Sequence, residues 1–309
     1  MVLLPFDAHN HVHLGPSPPG RALGRGAADT PTLSGMAVMS TQPSDYAKVI
    51  AICKDLEGPT VNMIPCLGVH PWWAHTLTEK DWAKPLPPQQ NSPEPTKGDD
   101  ERPNWILDLE AQLLQDPSIP VGEIGLDKFH FDGASGELTC PMDQQIKVFE
   151  HQLELATKLQ RPVSIHCVHA AGPLMDSLNK VQKGSREKDY PSTLPPALYF
   201  HAFGGKPALV DQLEAICCGR SKKRKTNPSR IYFGVAPVIN FRSPNITKVV
   251  QKVGIERLVL ETDHEDAARV PESMATGVEF LSQVLDVRSD ELIERCNRNA
   301  MDLYIGHLL

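Results

Sequence analysis

Short apolar runs rich in Val, Ile and Leu recur along the chain, with amphipathic stretches between them. Eight such runs stand out: residues 3–9 (LLPFDAH), 35–40 (GMAVMS), 61–70 (VNMIPCLGVH), 120–127 (PVGEIGLD), 162–167 (PVSIHC), 197–203 (ALYFHAF), 230–237 (RIYFGVAP) and 257–263 (RLVLETD). Continuous apolar runs of this length suit strands buried on both faces, as in a parallel sheet. The intervening stretches carry helical periodicity. Residues 143–160 place Ile146, Phe149, Leu153 and Leu159 on one face with charges opposite. Residues 207–218 open with Pro207 at an N1 position, and residues 289–304 open with Ser289 as an N-cap. Eight β/α alternations predict a TIM (β/α)8 barrel, regular or distorted, with polar loop insertions. An open doubly wound sheet is the alternative, but the first turn has no glycine-rich phosphate loop. The 309 residues fit one barrel domain over 1–309, and no internal repeat is present.

Two segments interrupt the alternation. Residues 85–104 are rich in Pro and charge and read as a flexible surface insertion. Residues 219–229, GRSKKRKTNPS, form a second, basic one; it reads as a solvated loop tip, a nuclear-import signal or a phosphate contact.

Composition narrows the function. The 31 basic and 38 acidic residues leave a formal charge of −7, so a large basic face for duplex binding is not expected. No apolar run reaches membrane-spanning length, and the opening MVLLPFDAH lacks the charged start of a signal peptide. Seven scattered cysteines without a CxxC pair point to reduced thiols in the cytoplasm or nucleus. Cys167 lacks a His/Asn pattern for nucleophilic catalysis and reads as inert, and no GxSxG elbow occurs.

Polar residues gather where the apolar runs end. Residues i and i+2 of a strand share a face, so His9 and His11 project together, with Asp7 and His13 on the same side. Strand three ends at His70, strand four carries Glu123 and Asp127, strand five His166, strand six His201, and strand eight Glu261 and Asp263. Burying so many ionisable groups is costly without pairing or a metal. In a barrel the C-terminal strand ends converge, so His9, His11, Glu123, His166, His201 and Asp263 can meet. Six candidate ligands exceed one tetrahedral ion with an open position. They suit two divalent ions with a bridging carboxylate, for which Glu123 is the natural choice, and the chemistry is then a hydrolysis, first of all of a phosphodiester. His70 is placed to hold a substrate phosphate, and Trp72 either stacks on a base or packs a loop. His13, His75 and His264 read as rim residues.

The segments DAHNHVHL, GVHPWW, GEIGLD, SIHC, HAFGG and LETD, with the tail NRNAMDLY (297–304), resemble in order and spacing the TatD family of metal-dependent deoxyribonucleases, within the amidohydrolase superfamily. The resemblance spans nearly the whole chain and implies a TIM barrel with a divalent-metal site for Mg, Mn or Zn. It implies that His9, His11 and Asp263 bind one ion, that His166 and His201 bind the other, and that Glu123 bridges. It also implies DNA as substrate, often single strands degraded from the 3′ end. Asp263 would orient or deprotonate the attacking water, with Glu123 as the second catalytic residue and His70 on phosphate. The chain departs from the family in three places. Val168 stands where an Arg usually follows the fifth-strand His, HED follows ETD, and the sixth-strand motif reads HAFGG. The 85–104 insertion points to a eukaryotic, fungal-type member. Hydrolysis of another ester or amide on the same site is the second reading. A protein-interaction module working through the polar loops is the third.

Overall fold

The computed structural model describes residues 3–24, 32–83, 102–188, 190–218 and 229–308. All eight expected strands are present: β1 (Phe6–Asn10), β2 (Gly35–Met39), β3 (Asn62–Cys66), β4 (Val121–Asp127), β5 (Val163–Val168), β6 (Ala197–Phe200), β7 (Arg230–Val235) and β8 (Leu258–Leu260). Helices alternate with them: α1 (Tyr46–Leu56), α2 (Asn104–Gln115), α3 (Met142–Lys158), α4 (Ala171–Glu187), α5 (Pro207–Cys217), α6 (Ile246–Val253), α7 (Val270–Leu285) and a final α8 (Ser289–Ile305). Every strand pair is parallel, in the orders β1-β2-β3 and β4-β5-β6-β7-β8. Two seams close these sheets into a distorted (β/α)8 barrel. At one, Gly122 N donates to Leu67 O (2.9 Å). At the other, Asp263 N donates to His9 O and His11 N to His264 O, each 2.9 Å. Among the described residues, a short 3-10 helix, Pro19–Leu23, follows β1.

The barrel interior holds Phe6, Ala8, Ala37, Met39, Ile64, Cys66, Ala197, Tyr199, Tyr232 and Val259, a cluster separate from the larger helix-packed core. Ala300, Leu303 and Tyr304 of α8 close it from below, and Tyr304 Oη donates to Ala8 O at 2.6 Å. Ser289 is the first helical residue of α8, and Arg288, with extended backbone, takes the N-cap position expected for it.

Several strands stop earlier than the apolar runs. β3 ends at Cys66, so His70 lies in the following loop, where it caps a 3-10 helix (Pro71–Thr76). β6 and β8 end at Phe200 and Leu260, leaving His201, Glu261 and Asp263 just beyond the strands, where His201 N still donates to Ile165 O and Asp263 N to His9 O.

Two strands also break strict alternation. Between Asp7 and Asn10, β1 carries one residue more than β2, and between Val121 and Ile124, β4 carries one more than β5. Such bulges re-aim side chains. Asp7, expected to face the mouth with His9, instead clamps the β1/β8 seam through Thr262 N (3.0 Å) and Thr262 Oγ1 (2.7 Å). Of the expected surface insertion at 85–104, residues 85–101 lie outside the described residues, and Asn104 already belongs to α2. Residues 219–228 of the basic segment also lie outside them. Its flanks, Cys218 and Ser229, sit at the β7 entry, the strand end opposite the mouth, with Cys218 Sγ 3.1 Å from Ser229 O.

Candidate metal centre

Glu123 organises the mouth. It is almost wholly buried, at 1 % exposure. Its two carboxylate oxygens face different partners. Oε2 meets His9 Nε2 (3.2 Å) and His11 Nε2 (2.9 Å), and Asp263 Oδ1 stands 3.7 and 3.8 Å from those nitrogens. Oε1 meets His201 Nε2 (2.5 Å), His166 Nδ1 (2.9 Å) and His70 Nε2 (3.5 Å). The six residues expected to meet therefore do so, in two groups that share Glu123. Donor atoms of His9, His11 and Asp263 lie within 4.8 Å of one another, as do those of His70, Glu123 and His166.

Close strand packing makes this possible. Gly125 in β4 has φ +152°, and a Cβ there would stand 2.0 Å from His166 O. Only glycine lets β4 and β5 approach with this backbone. Asp263 has a left-handed φ of 55°, a conformation Asp tolerates better than most residues. Its amide closes the barrel seam while its carboxylate reaches the cage.

Neighbours fix the imidazole nitrogens. His11 Nδ1 lies 3.1 Å from Met39 O, a carbonyl that can only accept, so the ring donates there and turns Nε2 to the cage. His9 Nδ1 bonds Ser164 Oγ (3.0 Å). His166 is reversed: Nε2 donates to Asp127 Oδ2 (3.1 Å), leaving Nδ1 for the cage. His70 differs in kind. Its Nδ1 accepts from Trp72 N (3.2 Å), so in the neutral ring Nε2 carries the proton and presents an N–H to the site.

The electrostatics call for added positive charge. Burial favours neutral Glu123, yet His201, His70 and His9 hold its carboxyl well below the usual range. Burial opposes a charged His11, but Glu123 and Asp263 raise it to about 9. Burial likewise opposes a charged His166, and Asp127 with Glu123 raises it to about 10. Burial instead keeps His9 and His70 neutral, so the carboxylates draw protons onto His11, His166 and His201 only; the same potential is offered to a divalent cation, which would release those protons on binding. Neutral imidazole nitrogens and carboxylate oxygens, each oriented by an outer partner, are a fitting donor set for Zn, Mn or Mg.

Sequence reasoning missed two residues. Asp127 was legible only as a strand-end acid, yet it orients His166 and accepts from Trp72 Nε1 (2.7 Å) and Phe129 N (2.6 Å). Ser164 gave no signal beyond lying two residues before His166. Outside the cage, His13 is buried on Asp45 (3.0 Å), His75 is exposed and His264 half-buried. Burial pushes the Cys167 thiol up to about 11, as suits an inert cysteine. Glu261 is buried beneath His201, bonded by Tyr199 Oη and Ala202 N, and burial raises it to about 8. Above the cage lies a cleft of about 280 Å³ lined in part by His11, His70, Trp72, Glu123, His166 and Asp263.

Comparison with known proteins identifies the family. The family model described as TatD related DNase matches residues 6–305. The Cut9-interacting protein scn1 of Schizosaccharomyces pombe is 26 % identical, over 86 % of this chain and 90 % of that protein. Deoxyribonuclease TATDN3 of Homo sapiens is 25 % identical, over 89 % of this chain and 85 % of that protein. A crystal structure of a TatD homolog from Escherichia coli superposes with a TM-score of 0.68 at 18 % identity, covering 98 % of this chain and 99 % of that one. The fold and a family match over nearly the whole chain agree: the chain belongs to the TatD-related DNase family.

Proposed function

We propose that residues 1–309 act as one metal-dependent hydrolase domain that cleaves DNA phosphodiester bonds, as a 3′–5′ exonuclease on single strands. The observation that carries this reading is the division of Glu123 between two histidine groups. His9, His11 and Asp263 would hold one divalent ion, His166 and His201 a second, and Glu123 would bridge them. Bound there, such ions supply a water acidified toward neutral pH and neutralise charge on the scissile group. The chain's own residues do the rest. Asp263, on the open side of the cage, orients the attacking water and accepts its proton. His70 presents Nε2–H to a phosphate oxygen. The free cysteines fit a reducing compartment, cytoplasm or nucleus. Among the described residues no helix is long and apolar enough to cross a membrane. One relative is named for a protein interaction, but a pure interaction module has no physical need to keep this many ionisable groups buried.

The test is release of nucleotides from 3′-labelled single-stranded DNA, with and without chelator, beside Glu123→Ala. Metal-dependent cleavage that the variant loses is expected. Equal cleavage by both proteins would reject the assignment, and cleavage of other esters or amides with DNA left intact would move the substrate class.

A further inference from the structure

A second lobe of about 250 Å³ opens beside the first and shares Trp72, His166, His201, Ile239 and Asp263 with it. Its own walls add Phe129, His130 and Val168. The character of these walls is unusual for a site meant to handle phosphates. No lysine or arginine lines either lobe among the described residues, and two carboxylates, Asp127 and Asp263, face the second. Position 168, two residues past His166, carries valine. An anion here would find no lysine or arginine among the described residues, and one imidazole on the wall, His166, is already turned to the Asp127 carboxylate. A flat neutral ring would find aromatic surface. Phe129 is 66 % exposed and Ile239 51 %, and the Trp72 and His130 rings stack at 4.0 Å. Five of the ten large apolar side chains exposed among the described residues (Leu14, Trp72, Trp73, Phe129 and Ile239) line the two lobes. Such clustering marks a binding surface.

We infer that this second lobe is a stacking subsite for one unpaired nucleobase, next to the phosphodiester held at the cage, with Phe129 and Ile239 as its contacts. The inference rests on the nuclease reading above. It commits to recognition of the neighbouring nucleotide by its base and not by its phosphate. Val168 keeps the lobe apolar, and the strand makes one phosphate contact, at the cage. Bases in a duplex have their faces covered, so the subsite selects unpaired ends. Every base offers a π-face, so it is tolerant of sequence.

The probe is a single-stranded trinucleotide with cleavage-resistant phosphorothioate linkages, carrying 2-aminopurine at one end, whose fluorescence is quenched on stacking, bound to the manganese-loaded full chain. Quenching is expected. Phe129→Ala, which removes an exposed ring and leaves the core intact, should weaken binding about tenfold, as should an abasic residue in place of the aminopurine. Leu114→Ala, at an exposed site on α2, should have no effect. Raising salt from 50 to 200 mM should weaken the wild type by about threefold, the ratio for one phosphate contact on a single strand. Val168→Arg should add a second factor of about three. An abasic strand bound as tightly as the intact one, or a tenfold or greater salt effect in the wild type, would overturn the inference. The two readings fail separately. Base-dependent binding without metal-dependent cleavage leaves the subsite and removes the nuclease, while equal cleavage of intact and abasic ends does the reverse.

Discussion

Asp127 provides the sharpest test of the cage, because it touches no ligand atom and is predicted to matter through geometry alone. Its carboxylate accepts three bonds: His166 Nε2 (3.1 Å) and Trp72 Nε1 (2.7 Å) on Oδ2, and Phe129 N (2.6 Å) on Oδ1. Burial works against its ionisation, but the bonds from His166 and Trp72 bring its pKa down to about 2. Asp127→Asn keeps the shape and removes the charge and one acceptor. With the amide oxygen toward His166 and Trp72, the NH₂ confronts the Phe129 N–H. Flipped, it confronts the other two donors. Either way a buried donor is orphaned, at about 1–3 kcal/mol.

The larger effect falls on His166. A neutral partner makes the imidazole a weaker base and no longer enforces which nitrogen faces the cage. Loss of an outer-shell partner typically costs about 10–100-fold in metal affinity, or roughly 1.4–2.7 kcal/mol. Calorimetric titration of chelator-stripped protein with Zn²⁺ or Mn²⁺ reads this directly. Asp127→Asn should weaken one of two sites by that factor and leave the other, held by His9, His11 and Asp263, within about threefold. Two unchanged affinities would refute the reasoning and reduce Asp127 to a packing residue.

Four further outcomes are expected. His70→Ala should lower cleavage about 10²–10³-fold, the usual cost of removing a single donor that stabilises developing charge, while binding the same number of metal ions; a lost ion would make His70 a ligand. Divalent metal at 100 times its Kd should stabilise the fold by about 2.7 kcal/mol, seen as a higher Tm that chelator reverses. Gly125→Ala, which places a Cβ 2.0 Å from His166 O, should lower Tm sharply and broaden metal binding, and a wild-type melting curve would show that the strands can part there at little cost. Burial raises the Asp45 pKa, but bonds from His13 and Thr41 more than offset it and hold it below the usual value. Its stabilisation is therefore present above the unfolded-state pKa of about 4 and lost as pH falls through the lower folded value. The Tm gap between wild type and Asp45→Ala should narrow from pH 5 to pH 3, and a constant gap would contradict this.

How much of this site could be read in advance depends on which physical rule governed each residue. The eight strands were legible because a strand buried on both faces must be apolar throughout, and few other elements leave that trace. His166, His201 and Asp263 were legible because an ionisable group closing such a run has to be reconciled with burial. Strand ends were not legible, since where pairing stops depends on the neighbouring strand: the apolar run carries on past Cys66 to Leu67 and Val69, and His201 and Glu261, which fall inside their runs, already lie outside the strands. Alternation misled at Asp7 because a bulge is a relation between two strands and leaves no mark on one. The extra residue in β1 falls between Asp7 and Asn10, so Ala8 packs into the barrel interior while His9 also reaches the cage. The extra residue in β4 falls between Val121 and Ile124, in the pair Gly122–Glu123. The two strands that break the ladder thus bring in Glu123 and one of the imidazoles on its Oε2, His9. A perfectly regular barrel would put alternate residues of β4 at fixed heights in its interior. The bulge frees Glu123 from that spacing and lets one carboxylate stand between two histidine groups.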